Sequence, residues 1–285
     1  MEIIERGLAG PYEGIMITPR SGGDVGVLVL AGSSGRIETE RSRVLARQGA
    51  VAVSIRWFGG PGQPAGICEI PLEIFTATVD LLLDTGVRRI GVVGISKGAE
   101  AALLIAGLDP RIDAVVALSP TSVVWANVGP GIDGHTHPYR SSWTWRGDPM
   151  PFVPYDDTWS PAEPEGFPVA YRTLYEHSRR TFAPSAEAAA IPIEQATGEL
   201  LLVAGADDRM WPSLPFAEEL ATRRSAAGRP VRILSSPDAG HRLRLPGESP
   251  APASTSYLYG GSSGADAALG AVAWPHILQT LQIMP

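Results

Sequence analysis

Short apolar runs alternate with amphipathic stretches through most of the chain. The apolar runs are rich in Val, Ile and Leu without polar alternation, a pattern typical of strands buried on both faces of a parallel sheet. These runs predict strands at residues 26–31, 50–55, 89–95, 113–119, 198–205 and 231–235. Before them, residues 14–19 predict one strand of an antiparallel hairpin at the edge of the sheet.

Helical patterns lie between these strands. They follow residue 95 directly and also occupy residues 38–48, 71–85, 215–226 and 265–281. Gly49 and Gly86 each follow a predicted helix and Pro71 begins one, which fits the usual places of glycine and proline at helix ends. Strands that alternate with helices in this way predict right-handed βαβ units and a mostly parallel sheet. Such a sheet binds its ligand at the carboxyl ends of its strands.

Residues 121–191 interrupt this alternation with a segment rich in Trp, Pro, Tyr and Gly. One interpretation is a long irregular surface loop. The other is a lid over the site, which we favour because long irregular loops without a function are uncommon and clustered aromatic rings are costly to leave in water. The part at residues 168–182 can form a helix. We predict a single domain, residues 1–285, with residues 121–191 inserted as a lid.

The composition disfavours several classes of protein. The 285 residues suit one large α/β domain, and 44% hydrophobic residues at a mean hydropathy of +0.05 supply its core. A formal net charge of -7 disfavours nucleic-acid binding, which needs a basic face. The acidic first residues lack the apolar core of a signal peptide, and no apolar run approaches the length of a membrane span. We therefore expect a cytoplasmic protein.

Cysteine and histidine usage argues against a metal centre. The single cysteine, Cys68, excludes an intrachain disulfide and a cysteine-rich metal site. His135 and His137 have the one-residue gap of some metal sites, but no carboxylate or cysteine pattern supports them. We expect neither a metal nor another cofactor.

The sequence Gly94-Ile95-Ser96-Lys97-Gly98 is the strongest chemical signal in the chain. This G-x-S-x-G lies between a predicted strand and a predicted helix, the setting of a nucleophile elbow. The sharp turn strains the central serine, and only glycines leave room beside it. Ser96 is therefore the candidate nucleophile, and the N–H of Lys97 at the start of the helix is a candidate oxyanion donor.

A base and an acid follow Ser96 in the chain order of the α/β-hydrolase fold. His241 lies just after the last predicted strand and is the candidate base. Asp208 follows the strand at residues 198–205 and is the favoured acid, with Asp207 as its rival. His276 also follows the acid, but it falls within the last predicted helix, where a structural role is more common.

The remaining candidates surround this proposed triad. Ser33 or Ser34, in the turn after residues 26–31, would supply the second oxyanion N–H, although a plain strand-to-helix turn is the alternative. Either Arg140 or Arg146 would meet an anionic part of the substrate. The candidate substrate contacts are Trp125, Trp143, Trp145, Arg146 and Trp211.

Several motifs together resemble one known family. These motifs are the residues 94–100, 117–120, 142–147, 151–155 and 207–213, with Tyr259-Gly260-Gly261 and Trp274 near the end. The chain from residue 26 onward resembles the catalytic domain of the acyl-CoA thioesterase and bile-acid-CoA:amino-acid N-acyltransferase family, within the α/β-hydrolase superfamily. The resemblance implies that Ser96, Asp208 and His241 form the catalytic triad.

The resemblance also sets expectations about the reaction. Longer family members carry an N-terminal β-sandwich domain, which this chain does not have room for, so contacts to coenzyme A from such a domain are not expected. The acyltransferase members use a cysteine at the elbow, whereas this chain has Ser96. We expect a serine hydrolase that cleaves a small-molecule acyl thioester, acyl-CoA-like, or an ester, with acyl transfer to an amine or alcohol, or carboxylesterase activity, as alternatives. A hydrolase-like binding protein is the non-enzymatic alternative.

Overall fold

The computed structural model describes residues 1–8 and 13–283. In chain order its strands are β1 (Ile3–Gly7), β2 (Gly14–Pro19), β3 (Val25–Leu30), β4 (Val51–Ile55), β5 (Ile70–Pro71), β6 (Arg89–Ile95), β7 (Ala114–Leu118), β8 (Trp143–Trp145), β9 (Asp148–Pro149), β10 (Glu199–Gly205) and β11 (Arg232–Ser236). Its helices are α1 (Thr39–Arg47), α2 (Glu73–Leu83), α3 (Lys97–Leu108), α4 (Arg172–Thr181), α5 (Ala183–Ala188), α6 (Ser213–Ala226) and α7 (Ser263–Leu281).

Eight strands form the central sheet in the order β1-β2-β4-β3-β6-β7-β10-β11. The pairs β1–β2 and β2–β4 are antiparallel, and the other pairs of this sheet are parallel. Apolar β-branched runs of this kind suit strands covered on both faces. The edge hairpin and the mostly parallel sheet that the sequence predicts are therefore confirmed.

The strand register brings several carboxyl ends to the same edge of the sheet. Leu30 of β3 pairs with Gly94 of β6, and Ile95 pairs with Leu118 of β7. On the far side, Gly205 of β10 pairs with Ser236 of β11. The loops after β3, β6, β7, β10 and β11 consequently leave the sheet side by side, which places residues that are distant in sequence around one site.

Helices cover both faces of the sheet and divide the apolar interior into two layers. Helices α2, α3 and α6 bury residues such as Phe75, Leu103 and Phe216 against one face. Helices α1 and α7 bury residues such as Leu45 and Leu281 against the other face. Burying a side chain of this size stabilises the fold by roughly 1.5–3 kcal/mol before entropy is counted. The two-sided core holds the strand ends rigidly.

The segment at residues 121–191, which we call the insert, packs into the layer formed by α2, α3 and α6. Trp125, Trp143 and Val153 are buried in that layer. Backbone hydrogen bonds tie the start of the insert to its later parts, from Val124 N–H to Ala189 O and from Ala126 N–H to Val153 O. The insert thus contributes to the core, and its assignment as a lid stays a prediction.

Two helices, α2 and α4, begin two or more residues later than the sequence predicts, and tertiary pairing explains both. Ile70–Pro71 forms the short strand β5, which pairs with β8 of the insert, so α2 starts at Glu73 rather than at residue 71. Val169 forms a β-bridge with Tyr257, so α4 starts at Arg172 rather than at residue 168. In both places, a strand-like contact from a distant part of the chain competes with the local helical preference.

Helix α7 is 19 residues long and packs against the sheet through Leu269, Ala273 and Ile277. Within the described residues, no helix has both the length and the apolar character that crossing a bilayer requires.

Candidate active site

Ser96 sits at the turn between β6 and α3 with an unusual backbone conformation, φ 57° and ψ −124°. This is a strained region for a residue with a side chain. A Cβ at Gly94 would lie 2.2 Å from Gly98 O, and a Cβ at Gly98 would lie 2.3 Å from Ala31 O. Neither position has room for a side chain, which is the steric reason for the G-x-S-x-G pattern. The geometry is that of a nucleophile elbow.

Asp208 and His241 form a buried hydrogen-bonded pair at the same sheet edge. The His241 Nδ1 lies 2.8 Å from Asp208 Oδ2. The other carboxylate oxygen of Asp208 accepts the N–H groups of Met210, at 2.8 Å, and Trp211, at 3.2 Å. Asp208 is 0% exposed. Because both of its oxygens are occupied, Asp208 holds one orientation and fixes the imidazole ring.

Asp207, the rival acid, is bound by groups other than His241. Its Oδ2 accepts the N–H of Gly261 at 2.8 Å, and its Oδ1 meets Arg209 Nε at 3.2 Å. These contacts hold the pKa of Asp207 below its usual range, with the Gly261 hydrogen bond as the main cause. The rival base, His276, lies in α7 with its Nδ1 2.6 Å from Arg232 Nη1. The described structure therefore pairs Asp208, and not Asp207, with His241.

His241 is enclosed by aromatic rings and by the end of β7. Its ring packs edge-on against Trp211 with centroids 5.5 Å apart and stacks on Tyr259 with centroids 5.9 Å apart. Its carbonyl accepts the Ser119 hydroxyl at 2.9 Å, and its N–H donates to Tyr259 O at 2.9 Å. Because the backbone and the ring are both held, the imidazole has little rotational freedom.

The carboxyl end of β7 connects the nucleophile elbow to the loop that carries His241. Ser96 N–H donates to Leu118 O at 3.0 Å, and the next residue, Ser119, holds the His241 carbonyl. Among the hydrogen bonds of the described residues, none joins the Ser96 hydroxyl to His241. Catalytic hydrogen bonds are often long in a free enzyme and tighten when substrate binds.

Three backbone N–H groups, in the turn after Gly32 and at the start of α3, have no described partner. Gly32 is close enough that a Cβ there would sit 3.0 Å from Ser96 Cβ and 3.5 Å from Ser96 Oγ. Ser33 and Ser34 follow Gly32 and are exposed. Within residues 1–8 and 13–283, no hydrogen bond uses the N–H of Ser33, Ser34 or Lys97. Unpaired N–H groups at the start of a helix and in a turn of small residues beside Ser96 are the type of donor that binds an oxyanion.

The Lys97 side chain turns inward, away from the turn that precedes it. Its ammonium lies 2.7 Å from Glu100 Oε2, and the two residues are 2% and 0% exposed. Glu100 Oε1 in turn accepts the indole N–H of Trp143 at 2.8 Å and the backbone N–H of Trp125 at 3.1 Å. Burial lowers the pKa of Lys97 and raises the pKa of Glu100, while their mutual attraction opposes both shifts. The first turn of α3 is thereby fastened to the insert.

The predicted substrate contacts occupy different environments. Trp125 and Trp143 are 0% exposed, and Trp211 uses its indole N–H to donate to Ser119 O at 3.1 Å. All three rings are buried in this structure, with Trp211 1% exposed. Trp145 is half-buried and the exposed Arg146 lies over its ring at 5.7 Å. A direct substrate contact stays a proposal for all five residues, and Trp145 and Arg146 have side-chain surface available for one in this structure.

A groove of about 610 Å³ opens on the insert. Its lining is mostly apolar and consists of Tyr139, Pro149, Met150, Pro151, Phe152, Pro154, Ser185 and Ala188. Ser96, Asp208 and His241 are absent from this lining.

The family assignment follows from comparison with known proteins. The family described as "BAAT / Acyl-CoA thioester hydrolase C terminal" matches residues 70–283, most of the chain. The chain belongs to this family. Human acyl-coenzyme A thioesterase 1 is 25% identical over 243 residues, covering 84% of this chain and 53% of the relative. The mouse bile acid-CoA:amino acid N-acyltransferase is 26% identical over 236 residues, covering 81% of this chain and 52% of the relative.

Solved structures establish the fold of this family member. A Klebsiella pneumoniae protein provisionally assigned as a dienelactone hydrolase superposes with a TM-score of 0.60 at 13% identity, covering 99% of both chains. A Pyrococcus furiosus esterase superposes with a TM-score of 0.51 at 18% identity, covering 82% of both chains. The fold is the α/β-hydrolase fold. The chain spans about half the length of the curated relatives it matches.

Sequence reasoning gave no role to four residues that the structure places around the proposed triad. Ser119 and Tyr259 hold the backbone of His241, Asp266 accepts the N–H of Gly240 at 2.7 Å, and Glu100 pairs with Lys97. A usable signal existed for Glu100, which is the only acidic residue of α3 and lies three residues after Lys97 among small and apolar residues. Ser119 and Tyr259 lie in motifs that resemble the family, but those motifs do not reveal the role of either residue. Asp266 carries no local signal, because its partner Gly240 lies far away in sequence.

Proposed function

We propose that the chain is a serine-dependent hydrolase that cleaves an acyl thioester or ester through an acyl-enzyme. One observation carries the proposal: the buried Asp208–His241 pair, at 2.8 Å, lies at the same sheet edge as the strained Ser96. Membership of a family that includes thioester hydrolases supports the substrate class. A small-molecule acyl compound is the proposed substrate.

The proposed mechanism gives each proton a definite path. With Nδ1–H donating to Asp208, the His241 ring keeps Nε2 free as the acceptor. In the first step Ser96 Oγ forms a bond to the acyl carbon while its proton passes to Nε2. The resulting imidazolium is stabilised by Asp208 and gives this proton to the departing sulfur or oxygen as the acyl bond to that atom breaks. In the second step the oxygen of a water molecule bonds to the acyl carbon while a water proton passes to Nε2. The bond between the acyl carbon and Ser96 Oγ then breaks, Nε2 returns the proton to Oγ, and the free acid is released.

Backbone N–H groups would stabilise the negative oxygen formed in each step. We assign this role to Lys97 together with Ser33 or Ser34, whose N–H groups have no partner within the described residues. Removing one oxyanion donor typically costs about 10²–10³-fold in kcat. The Lys97 ammonium takes no part, because it is buried against Glu100.

Replacing Ser96 with alanine tests the nucleophile. Ser96→Ala should abolish turnover of acyl-CoA and p-nitrophenyl ester substrates, because no hydroxyl remains to form the acyl-enzyme. A fluorophosphonate probe should label the parent protein at Ser96 and leave the variant unlabelled. Retained turnover in Ser96→Ala would refute the mechanism. Absence of labelling together with absence of turnover in the parent would favour a binding protein with a hydrolase fold.

Acyl transfer is the second candidate, because N-acyltransferases are among the similar proteins. A serine acyl-ester reacts with water readily, whereas an acyl-thioester on cysteine is better matched to amines. We therefore propose that water is the acceptor. Supplying glycine, taurine and short alcohols during turnover, and measuring the products by mass spectrometry, separates the two reactions. Free acid as the main product supports hydrolysis, and amide or ester as the main product supports transfer.

A further inference from the structure

The segment Tyr259-Gly260-Gly261, which we call the clamp, packs into the gap between the loops that carry Asp208 and His241. Gly260 and Gly261 have φ values of 69° and 61°, a region that favours glycine. A Cβ at Gly260 would lie 1.6 Å from Asp207 O, and a Cβ at Gly261 would lie 2.2 Å from Gly240 N. The backbones of Asp207 and Gly240 therefore lie so close to the clamp that neither Gly260 nor Gly261 has room for a side chain.

Hydrogen bonds lock the clamp to both loops. Tyr259 O accepts the N–H of His241 at 2.9 Å and the N–H of Arg209 at 3.3 Å. Gly261 N–H donates to the Asp207 carboxylate at 2.8 Å. The chain then enters α7, where the Ser262 hydroxyl accepts the N–H of Ala265 and caps the helix. The start of α7 is thus built directly onto the proposed active site.

Asp266, in the first turn of α7, reaches from this helix to the histidine loop. Its Oδ1 accepts the N–H of Gly240 at 2.7 Å, and Gly240 immediately precedes His241. Asp266 is only 7% exposed, so its carboxylate is weakly screened by water. A carboxylate near the start of a helix is also favoured by the helix dipole. The site therefore holds a second buried acid besides Asp208.

We propose that Asp266 is a positioning residue, whose carboxylate fixes the loop that carries His241 and favours the imidazolium formed at each proton transfer. The inference rests on the proposed function for its catalytic meaning. Asp208 orients the His241 ring through Nδ1. Asp266 instead binds the backbone N–H of Gly240, the residue before His241, and its negative charge favours the imidazolium.

Three titratable or charged side chains surround Asp266 and interact with its charge. Asp208, His241 and Arg242 face it, and Arg242 lies over the Tyr259 ring at 3.6 Å. Burial raises the pKa of Asp266, and the nearby Asp208 carboxylate adds to this rise. The Gly240 hydrogen bond and the charge of Arg242 oppose it only in part. A raised pKa means that the folded state binds this proton more tightly than the unfolded state. Protonated Asp266 therefore stabilises the folded state at low pH, and this stabilisation is lost as the pH rises through the raised pKa. At neutral pH the buried, charged Asp266 lowers the free energy of unfolding.

The central test is Asp266→Asn, which keeps an oxygen for Gly240 and removes the charge. The His241 imidazolium loses a nearby negative charge, so the ring should give up its proton at a lower pH in the variant than in the parent. NMR titration of the His241 ring measures this shift without any turnover. The acid limb of the kcat/KM profile should move to lower pH by the same amount, and the plateau kcat should fall about 3–10-fold because the base is weaker.

Asp238→Asn is the matched control, because Asp238 lies in the same loop but is exposed to solvent. Its charge is screened, so both the NMR titration and the pH profile should stay in place. The denaturation midpoint of Asp266→Asn at neutral pH should equal or exceed that of the parent, because asparagine avoids the cost of a buried charge. Asp266→Ala, which also removes the acceptor for Gly240, should lose more activity than Asp266→Asn.

Three results would overturn the proposal. The first is an Asp266→Asn titration of His241 that moves no further than in Asp238→Asn. The second is a loss of activity that only parallels a loss of stability, which indicates a purely structural role. The third is an Asp266→Ala variant as active as Asp266→Asn. The NMR titration is independent of the reaction, so a failure of the proposed function, seen as turnover in Ser96→Ala, is distinguishable from a failure of this inference.

Discussion

Two adjacent aspartates, Asp207 and Asp208, show that the surroundings of a residue determine its role. The same loop offers a buried carboxylate bound to an imidazole and a half-exposed one bound to a backbone N–H and an arginine. The sequence favours Asp208 by its spacing after the strand, but spacing alone leaves both open. The hydrogen bonds of the folded loop separate their roles.

Asp208→Asn should lower kcat by about 10⁴-fold, because the amide favours the wrong tautomer of His241. The fold should remain, since the asparagine oxygen can still accept the N–H groups of Met210 and Trp211. Steady-state kinetics with an ester substrate, together with circular dichroism, measure the two effects.

Asp207→Asn is the paired variant for this measurement. It should change kcat by less than about 10-fold, because Asp207 does not contact the imidazole. A larger loss in Asp207→Asn than in Asp208→Asn would contradict the assignment of the acid.

At the residue scale, sequence reasoning identifies candidates by type and chain order but not by environment. Ser96, Asp208 and His241 stand out because each follows a predicted strand end. The burial of Trp125 and Trp143 was not foreseeable, because aromatic residues in a Pro-rich segment look alike whether they face a ligand or the core. Their position depends on the Glu100 carboxylate, which contacts both.

At the scale of the element, the turn from β6 into α3 depends on how closely the helix approaches β3. A Cβ added at Gly98 would lie 2.3 Å from Ala31 O. A Cβ added at Gly107, in the same helix, would have its nearest neighbouring atom at 3.4 Å. The two glycines therefore differ in purpose. Gly98 permits close packing, and Gly107 only lowers the helix preference of its segment.

Gly98→Ala should destabilise the protein by about 1–3 kcal/mol, because the helix must move away from β3. Ser96 moves with the helix, so activity should fall as well. Urea unfolding and ester hydrolysis measure both effects. Gly107→Ala is the matched change and should be neutral or stabilise by up to about 1 kcal/mol. Equal effects at the two positions would contradict this account of the elbow.

Helices and strands were predictable to the extent that local pattern decides them. The parallel strands follow from uninterrupted apolar runs, and the helix ends largely from glycine and proline. The start of α2 was predicted two residues too early, because the pairing of Ile70–Pro71 with Trp143–Trp145 is invisible to local pattern. The helix beginning at Arg172 was displaced in the same way by the bridge between Val169 and Tyr257.

For the whole molecule, the Lys97–Glu100 pair joins the insert to the sheet layer. A buried ion pair adds little by itself, but removing one partner leaves an uncompensated charge. Here the loss would also leave the N–H groups of Trp125 and Trp143 without their acceptor. The attachment of the insert is therefore sensitive to one side chain.

Glu100→Ala should cost at least about 3 kcal/mol of unfolding free energy for this reason. The double variant Lys97→Met, Glu100→Gln removes both charges and keeps an acceptor for the two tryptophans. It should lose no more than about 1–2 kcal/mol, which is the signature of a coupled pair. Guanidinium unfolding of the two variants and the parent checks this. Equal losses in both variants would show that the charges are not coupled.

The overall architecture was the most predictable level, since the βαβ alternation leaves few topologies. The least predictable was the coupling between distant parts, because it runs through single contacts such as Asp266 with Gly240 and Glu100 with Trp143. Such contacts have no periodicity, so they emerge only when the chain is folded.

Lys97 is the single lysine in the sequence, and the fold buries it at the nucleophile. An endoproteinase that cuts after lysine therefore finds its one target hidden in the native state. Each molecule that opens globally would be cut once, into fragments of residues 1–97 and 98–285. A short pulse of such a protease during denaturation would thus count unfolded molecules directly on a gel, without an attached dye or an engineered cleavage site.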